Sequence, residues 1–136
     1  MSALLGAAPA PIAAQQALEM TAADSSALGT RRGAEAARNE STSKWMLGGF
    51  AGGFTLGPIG AGVSYATASQ SKVALDPAQR MVLLNEGTPT YAWAYEKAFA
   101  TALRERRKRS ALVGGALGTA ALAAVATTVW AVYYYY

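Results

Sequence analysis

The chain contains no cysteine and no histidine among its 136 residues. These two absences exclude thiolate and imidazole catalysis, disulfide bonds, most zinc sites and imidazole ligation of haem or chlorophyll. No other pattern in the sequence encodes a reaction. We therefore expect a protein that is not an enzyme and that binds neither a cofactor nor a metal.

Charged residues are also missing from two long stretches, residues 45–71 and 110–136, each 27 residues long. At a rise of ~1.5 Å per residue, a helix of this length spans roughly 40 Å, the bilayer core plus its interfaces. We therefore predict an all-α integral membrane protein with two transmembrane helices. The predicted organisation is an extramembrane tail at 1–44, transmembrane helix 1 at 45–68, a basic connector at 69–110 and transmembrane helix 2 at 111–136. The first ten residues lack the basic segment of a secretory signal, so we expect the N-terminus to be retained.

Small residues recur every fourth position in both predicted spans, which favours close packing of one helix against another. Pro58 removes a backbone donor and should kink the first span near Gly57. The alternative is an alanine-rich helix that faces lipid. The residues predicted to pack are Gly49, Gly53, Gly57, Ala61, Gly114, Gly115, Gly118, Thr119 and Ala123, and the stripe of the second span starts at Ala111 and continues to Thr127 and Ala131.

Aromatic residues mark the ends of the predicted spans. Tryptophan and tyrosine are enriched at membrane interfaces, where one part of the ring is apolar and the other meets water. The expected interface anchors are Trp45, Trp130, Tyr133 and Tyr134.

The tail at 1–44 has few large apolar side chains, a composition typical of disordered segments. Pro11 could open a short helix, and residues 34–38 could form a turn or two. The alternative is that a larger partner orders the tail.

The connector carries clearer helix signals. Asp76 can cap a helix that starts at Pro77 and ends before Gly87, which predicts a helix near 77–86. Thr88 and Pro89 can open a second helix at 89–110. It is amphipathic, and because no breaker separates it from the second span, residues 89–134 could form one continuous helix. Its apolar face holds Tyr91, Tyr95, Phe99 and Leu103.

The connector also ends in a basic cluster, formed by Arg104, Arg106, Arg107, Lys108 and Arg109. Basic residues beside an apolar span ordinarily fix topology at the cytoplasmic face, and they can also bind anionic lipid headgroups. Nucleic-acid binding is a poor alternative because no independent fold surrounds the cluster.

The net charge of +4 lies entirely in this connector, because the acidic and basic residues of the tail cancel. We therefore predict a cytoplasmic connector with both termini on the opposite side of the membrane, although the basic residues of the tail oppose its translocation. Glu105 is expected to pair with Arg109 four residues on, and Glu96 with its neighbour Lys97.

The layout resembles the small two-span bacterial membrane proteins with glycine-zipper helices, through Gly49, Gly53 and Gly57 in one span and Gly114 and Gly118 in the other. The resemblance covers about half of the chain. It implies helix association and no activity.

Two functional hypotheses follow. The first is a non-catalytic accessory or structural subunit of the bacterial inner membrane, in contact with lipids and packed against the transmembrane subunits of a larger respiratory or photosynthetic complex. The alternative is a homo-oligomeric channel or pore built from the glycine-striped helices. Its lining would come from the hydroxyl side chains of Thr55, Ser64, Thr119 and Thr127, fewer polar groups than a wet pore usually has.

Overall fold

The computed structural model describes residues 21–135, and within that range the chain is all-helical, as predicted. Its four helices are α1 (Ala22–Asn39), α2 (Ser43–Gln70), α3 (Pro77–Glu86) and α4 (Pro89–Tyr135). By length and composition, α2 and α4 are each apolar enough to cross a membrane.

Helix α4 is the longest of the four helices, and each of the other three contacts it. Thr88 caps its start, where the hydroxyl accepts a hydrogen bond from the Tyr91 amide at 3.2 Å. The helix then continues for 47 residues, roughly 70 Å. The amphipathic part of the connector and the predicted second span are therefore one element, as the lack of a breaker indicates.

Helix α2 reverses its direction at Gly57. This glycine has φ +61° and ψ −140°, a backbone conformation that side chains disfavour, and Pro58 follows it. Residues 43–56 and 58–70 form two arms of a hairpin, in which the Ser64 hydroxyl donates to the Gly48 carbonyl at 3.3 Å. In a straight helix, positions 16 residues apart would be separated by roughly 24 Å. We call this element the hairpin.

Both ends of the hairpin lie against the same turn of α4. Thr42, just before it, is 2.8 Å from the Ser110 hydroxyl, and Ser71, just after it, accepts a hydrogen bond from Arg107 at 3.1 Å. The predicted break near Gly57 is confirmed, and the reversal does not fit a straight passage of residues 45–68 from one side of a membrane to the other. The reversal returns the chain to the level at which it began.

Helix α1 packs beside the first half of α4 through small residues. Ser25, Gly29, Gly33 and Ala37 are buried, and a Cβ added at Gly29 would lie 2.6 Å from the Tyr91 carbonyl oxygen. The prediction of a tail with only a turn or two near 34–38 is therefore wrong for residues 22–39. The predicted helix after Pro11 lies outside the described residues.

The position of α1 bears on the predicted topology. Residues 22–39 run alongside the start of α4, and the Arg106 guanidinium contacts the carbonyls at the end of α1. An apolar layer cannot pass between elements that touch. The contact of residues 22–39 with the start of α4 does not fit the predicted placement of the tail and the connector on opposite sides of a membrane.

Helix α3 has the predicted bounds and caps. The Asp76 carboxylate accepts from the Ala78 amide at 3.0 Å, and the Gly87 amide donates to the Leu83 carbonyl. An ion pair between Arg80 and Glu96, at 2.9 Å, joins α3 to α4. The segment before α3 packs Val73 and Leu75 against a small core made of Ala37, Phe99 and Leu103.

Candidate functional site

A close helix contact joins the first arm of the hairpin to α4. A Cβ added at Gly49 would collide with the Ala111 carbonyl, and one added at Gly53 would collide with the Gly115 carbonyl. From the other side, Gly118 lies against the Phe50 carbonyl in the same way. Only glycine allows the backbones to approach so closely, which is the usual role of small residues between membrane helices.

The structure brings most of the predicted packing residues to this contact. Gly49, Gly53, Gly57, Gly114, Gly115 and Gly118 are buried, and Ala61 and Thr119 are half-buried.

Ala123 lies outside this contact and is exposed, as are Thr127 and Ala131 further along the stripe, so their predicted packing stays a prediction. The hairpin tip at Gly57 reaches only to Leu122, where the gap from an added Cβ to the Leu122 side chain is 3.9 Å. Beyond that point α4 continues alone.

Two arginines of the basic cluster bind the C-terminal ends of other helices. The Nη1 amino group of Arg106, which has two N–H bonds, lies within hydrogen-bond distance of the carbonyl oxygens of Ala37, Arg38 and Glu40 at the C-terminal end of α1. Those carbonyls have no partner within their own helix, and a cation there also complements the helix dipole. Arg106 is half-buried between α1 and α4, and its predicted role in topology or headgroup contact stays a prediction.

Arg107 plays the corresponding part for the hairpin. Its guanidinium donates to the Ser71 hydroxyl and to the Lys72 carbonyl at the end of the second arm, and it lies over the ring of Trp45 at 5.7 Å. One side chain therefore touches both arms. Arg104 and Arg109 are exposed, whereas Arg106, Arg107 and Lys108 are half-buried.

The ion pairs differ from those predicted. Glu105 pairs with Lys108 at 2.6 Å rather than with Arg109, and this hydrogen bond raises the pKa of the Lys108 ammonium. Glu96 pairs with Arg80 rather than with Lys97. The choice of partner depends on where each side chain lies around α4 and on the position of α3. Sequence spacing alone specifies neither.

The aromatic residues fall into two groups. Trp45 is half-buried at the start of the hairpin. Trp130, Tyr133 and Tyr134 are exposed near the end of α4, where the Trp130 and Tyr134 rings lie 4.7 Å apart. Outside the apolar segments, burial raises the pKa of the Tyr95 hydroxyl, and neighbouring Tyr91 adds to the effect.

The packing face of α1 is the feature that the sequence interpretation missed. Its members, Ser25, Gly29, Gly33 and Ala37, follow the same four-residue spacing as the stripes in the apolar segments. The spacing was available in the sequence. The charged residues between these positions concealed it, because they lower the mean hydropathy of the segment.

The hydroxyl groups of the predicted pore lining form hydrogen bonds with nearby backbone carbonyls. Thr55, Thr119 and Thr127 each donate to a carbonyl of their own helix, and Ser64 donates to Gly60 and Gly48. Among residues 21–135, no group of three acidic side chains is placed to hold a metal ion.

Comparison with known proteins adds no functional information: no family model, curated protein or solved structure matches this chain. Its function has to be argued from the packing surfaces, the charge distribution and the exposed apolar residues.

Proposed function

We propose that the protein is a non-catalytic membrane subunit that docks on a larger membrane complex. In this proposal α4 crosses the bilayer once, and the hairpin enters it from one side and returns. Residues 110–135 of α4 are long enough for a crossing at roughly 38 Å, whereas each hairpin arm reaches only about 20 Å. Large apolar side chains on both elements, such as Leu47, Ile59 and Val129, are exposed and would face lipid or other subunits.

The distribution of charge supports one orientation. All twelve lysine and arginine residues lie between positions 31 and 109, and the last 27 residues have no charged side chain. The rule that basic residues stay in the cytoplasm then favours α1, α3 and the connector inside, with the end of α4 outside. A bacterial cytoplasmic membrane fits this proposal, and so does a respiratory or photosynthetic host complex.

The observation that carries the docking role is apolar surface far from the apolar layer. Met81 is 67% exposed, Leu84 62% and Trp93 62%. Trp93 precedes Ser110 by 17 residues, or roughly 25 Å along α4, so lipid cannot cover it. Large apolar side chains exposed at this distance from the layer are candidates for contact with another protein. The pore hypothesis lacks comparable support, because its hydroxyl groups are bound to backbone carbonyls.

Replacing Met81 and Leu84 together by serine should detach the protein from its host while leaving membrane insertion intact. Burial of two such side chains contributes about 3 kcal/mol or more, so retention of host subunits should fall at least tenfold. The measurement is gentle solubilisation from native membranes, followed by mass analysis of the chains that co-migrate.

The matched control is Gln79→Ser, which changes an exposed polar residue on the same helix. This variant should retain the host subunits fully. Equal retention by both variants would refute the proposed docking face, and a ladder made only of this chain would favour the homo-oligomer.

A further inference from the structure

A groove of about 320 Å³ runs between the two arms of the hairpin. One wall is formed by Trp45, Gly48 and Gly49, and the other by Val63, Ser64 and Thr67, while Lys44 lies at the rim. The volume is near the lower end of the range for ligand sites, roughly 300–1,000 Å³. It suits one chain of a lipid rather than a whole molecule.

The surface of this groove is apolar for a structural reason. A Cβ placed on Gly48 would have no atom within 4 Å, so the missing side chain leaves open space along the first arm. The two hydroxyl groups in the groove are already engaged, Ser64 with the Gly60 carbonyl at 2.9 Å and Thr67 with the Val63 carbonyl at 2.9 Å. Hydrocarbon therefore matches the groove better than a polar ligand does.

The groove opens at the level where charged residues begin. Lys44 follows Thr42 closely, and Thr42 is bound to Ser110, the first residue of the uncharged end of α4. No acidic side chain is among the groove residues, and Lys44 is exposed. An anion at the membrane surface can consequently reach the ammonium group while its chain follows the groove inward.

We propose that the groove binds an acyl chain of an anionic phospholipid, with the lipid phosphate paired to Lys44. This inference rests on the proposed membrane insertion of the hairpin. The lipid fills the space above Gly48 and contacts the ring of Trp45, which Arg107 holds from the α4 side.

The position of Trp45 provides the test. In a Trp93→Phe/Trp130→Phe variant, Trp45 is the remaining tryptophan, because the chain has three. The full-length protein is reconstituted in phosphatidylcholine vesicles that contain phosphatidylglycerol with brominated chains or, separately, brominated phosphatidylcholine. Bromine quenches indole fluorescence only at close range, so quenching of Trp45 reports lipid bound in the groove. We expect roughly fivefold stronger apparent binding of the anionic lipid, which is the contribution of one lysine at such a surface.

Two matched pairs of variants separate a specific site from general attraction. Lys44→Gln should abolish the preference for the anionic lipid, whereas Lys72→Gln, which removes a charge at the other end of the hairpin, should keep it. Gly48→Leu should reduce quenching by filling the groove. Gly62→Leu should not, because Gly62 also has open space around an added Cβ but does not line the groove.

Each outcome decides the question. Equal quenching by the two brominated lipids in the parent protein, or equal effects of Lys44→Gln and Lys72→Gln, would overturn the lipid site. Quenching by neither lipid would show instead that the hairpin is outside the bilayer, and the proposed function itself would then fail.

Discussion

Replacing Gly53 by leucine is expected to separate the hairpin from α4. Even a Cβ at this position collides with the Gly115 carbonyl, so the arms must move away from α4 to accommodate the larger side chain. Overpacking of this kind costs about 1 to 3 kcal/mol, within the range in which contacts between membrane helices are decided. The helical content should survive, because the clash lies between helices rather than within one.

The measurement is disulfide cross-linking, which is specific here because the chain has no native cysteine. Thr42 and Ser110 have hydroxyl oxygens 2.8 Å apart, so a Thr42→Cys/Ser110→Cys pair should form a disulfide when the hairpin is docked. Gly53→Leu should lower the yield about fivefold or more, and Gly62→Leu, in open space on the second arm, should leave it unchanged. Full cross-linking in the Gly53→Leu background would show that this contact does not hold the hairpin in place.

Replacing Arg106 by glutamine is expected to loosen the C-terminal end of α1. The two N–H bonds of the Arg106 Nη1 group are shared among three carbonyl oxygens there, those of Ala37, Arg38 and Glu40. Hydrogen bonds from a charged donor contribute about 1.5 to 3 kcal/mol, and the charge also complements the helix dipole. Losing them should raise the population of the open helix end at least tenfold.

Hydrogen–deuterium exchange of residues 34–40 measures that opening. The control is Arg104→Gln, which removes a charge of the same cluster from an exposed position. Faster exchange in the Arg106 variant alone would show that Arg106 stabilises the C-terminal end of α1. Identical protection in the two variants would mean that the end of α1 is stable without Arg106.

The sequence predicts α3 and α4 well because their signals are local. Asp76, Pro77 and Gly87 lie within a few residues of the helix ends that they determine, and the absence of a breaker after Pro89 is visible in the sequence itself. Such interactions need no knowledge of the tertiary fold.

The reversal at Gly57 is harder to predict because it depends on residues far apart. A glycine followed by proline can bend a helix by any amount. What distinguishes a hairpin from a kink is the contact of Gly52 with Gly60 and of Gly48 with Ser64 across the two arms. The apolar composition of both arms suits a straight crossing equally well, so hydropathy cannot separate the alternatives.

The basic cluster illustrates the same limit. Its net charge and its position beside an apolar segment were visible in the sequence, and they favoured contact with headgroups. The directions of Arg106 and Arg107 depend on two helix ends, those of α1 and the hairpin, that lie more than 30 residues away in the chain. Arg106 and Arg107 cap these helix ends only because the fold brings the ends close to them.

The most direct test is to determine on which side of the membrane three positions lie in intact cells. Single variants Ser41→Cys, Ala74→Cys and Tyr134→Cys each carry the only thiol in the protein, and a thiol reagent that cannot cross membranes reports their accessibility. We predict that the thiol at 134 reacts from outside, whereas those at 41 and 74 react only after lysis. Labelling of position 41 from outside with position 74 protected would contradict the hairpin and restore a straight crossing by residues 45–68.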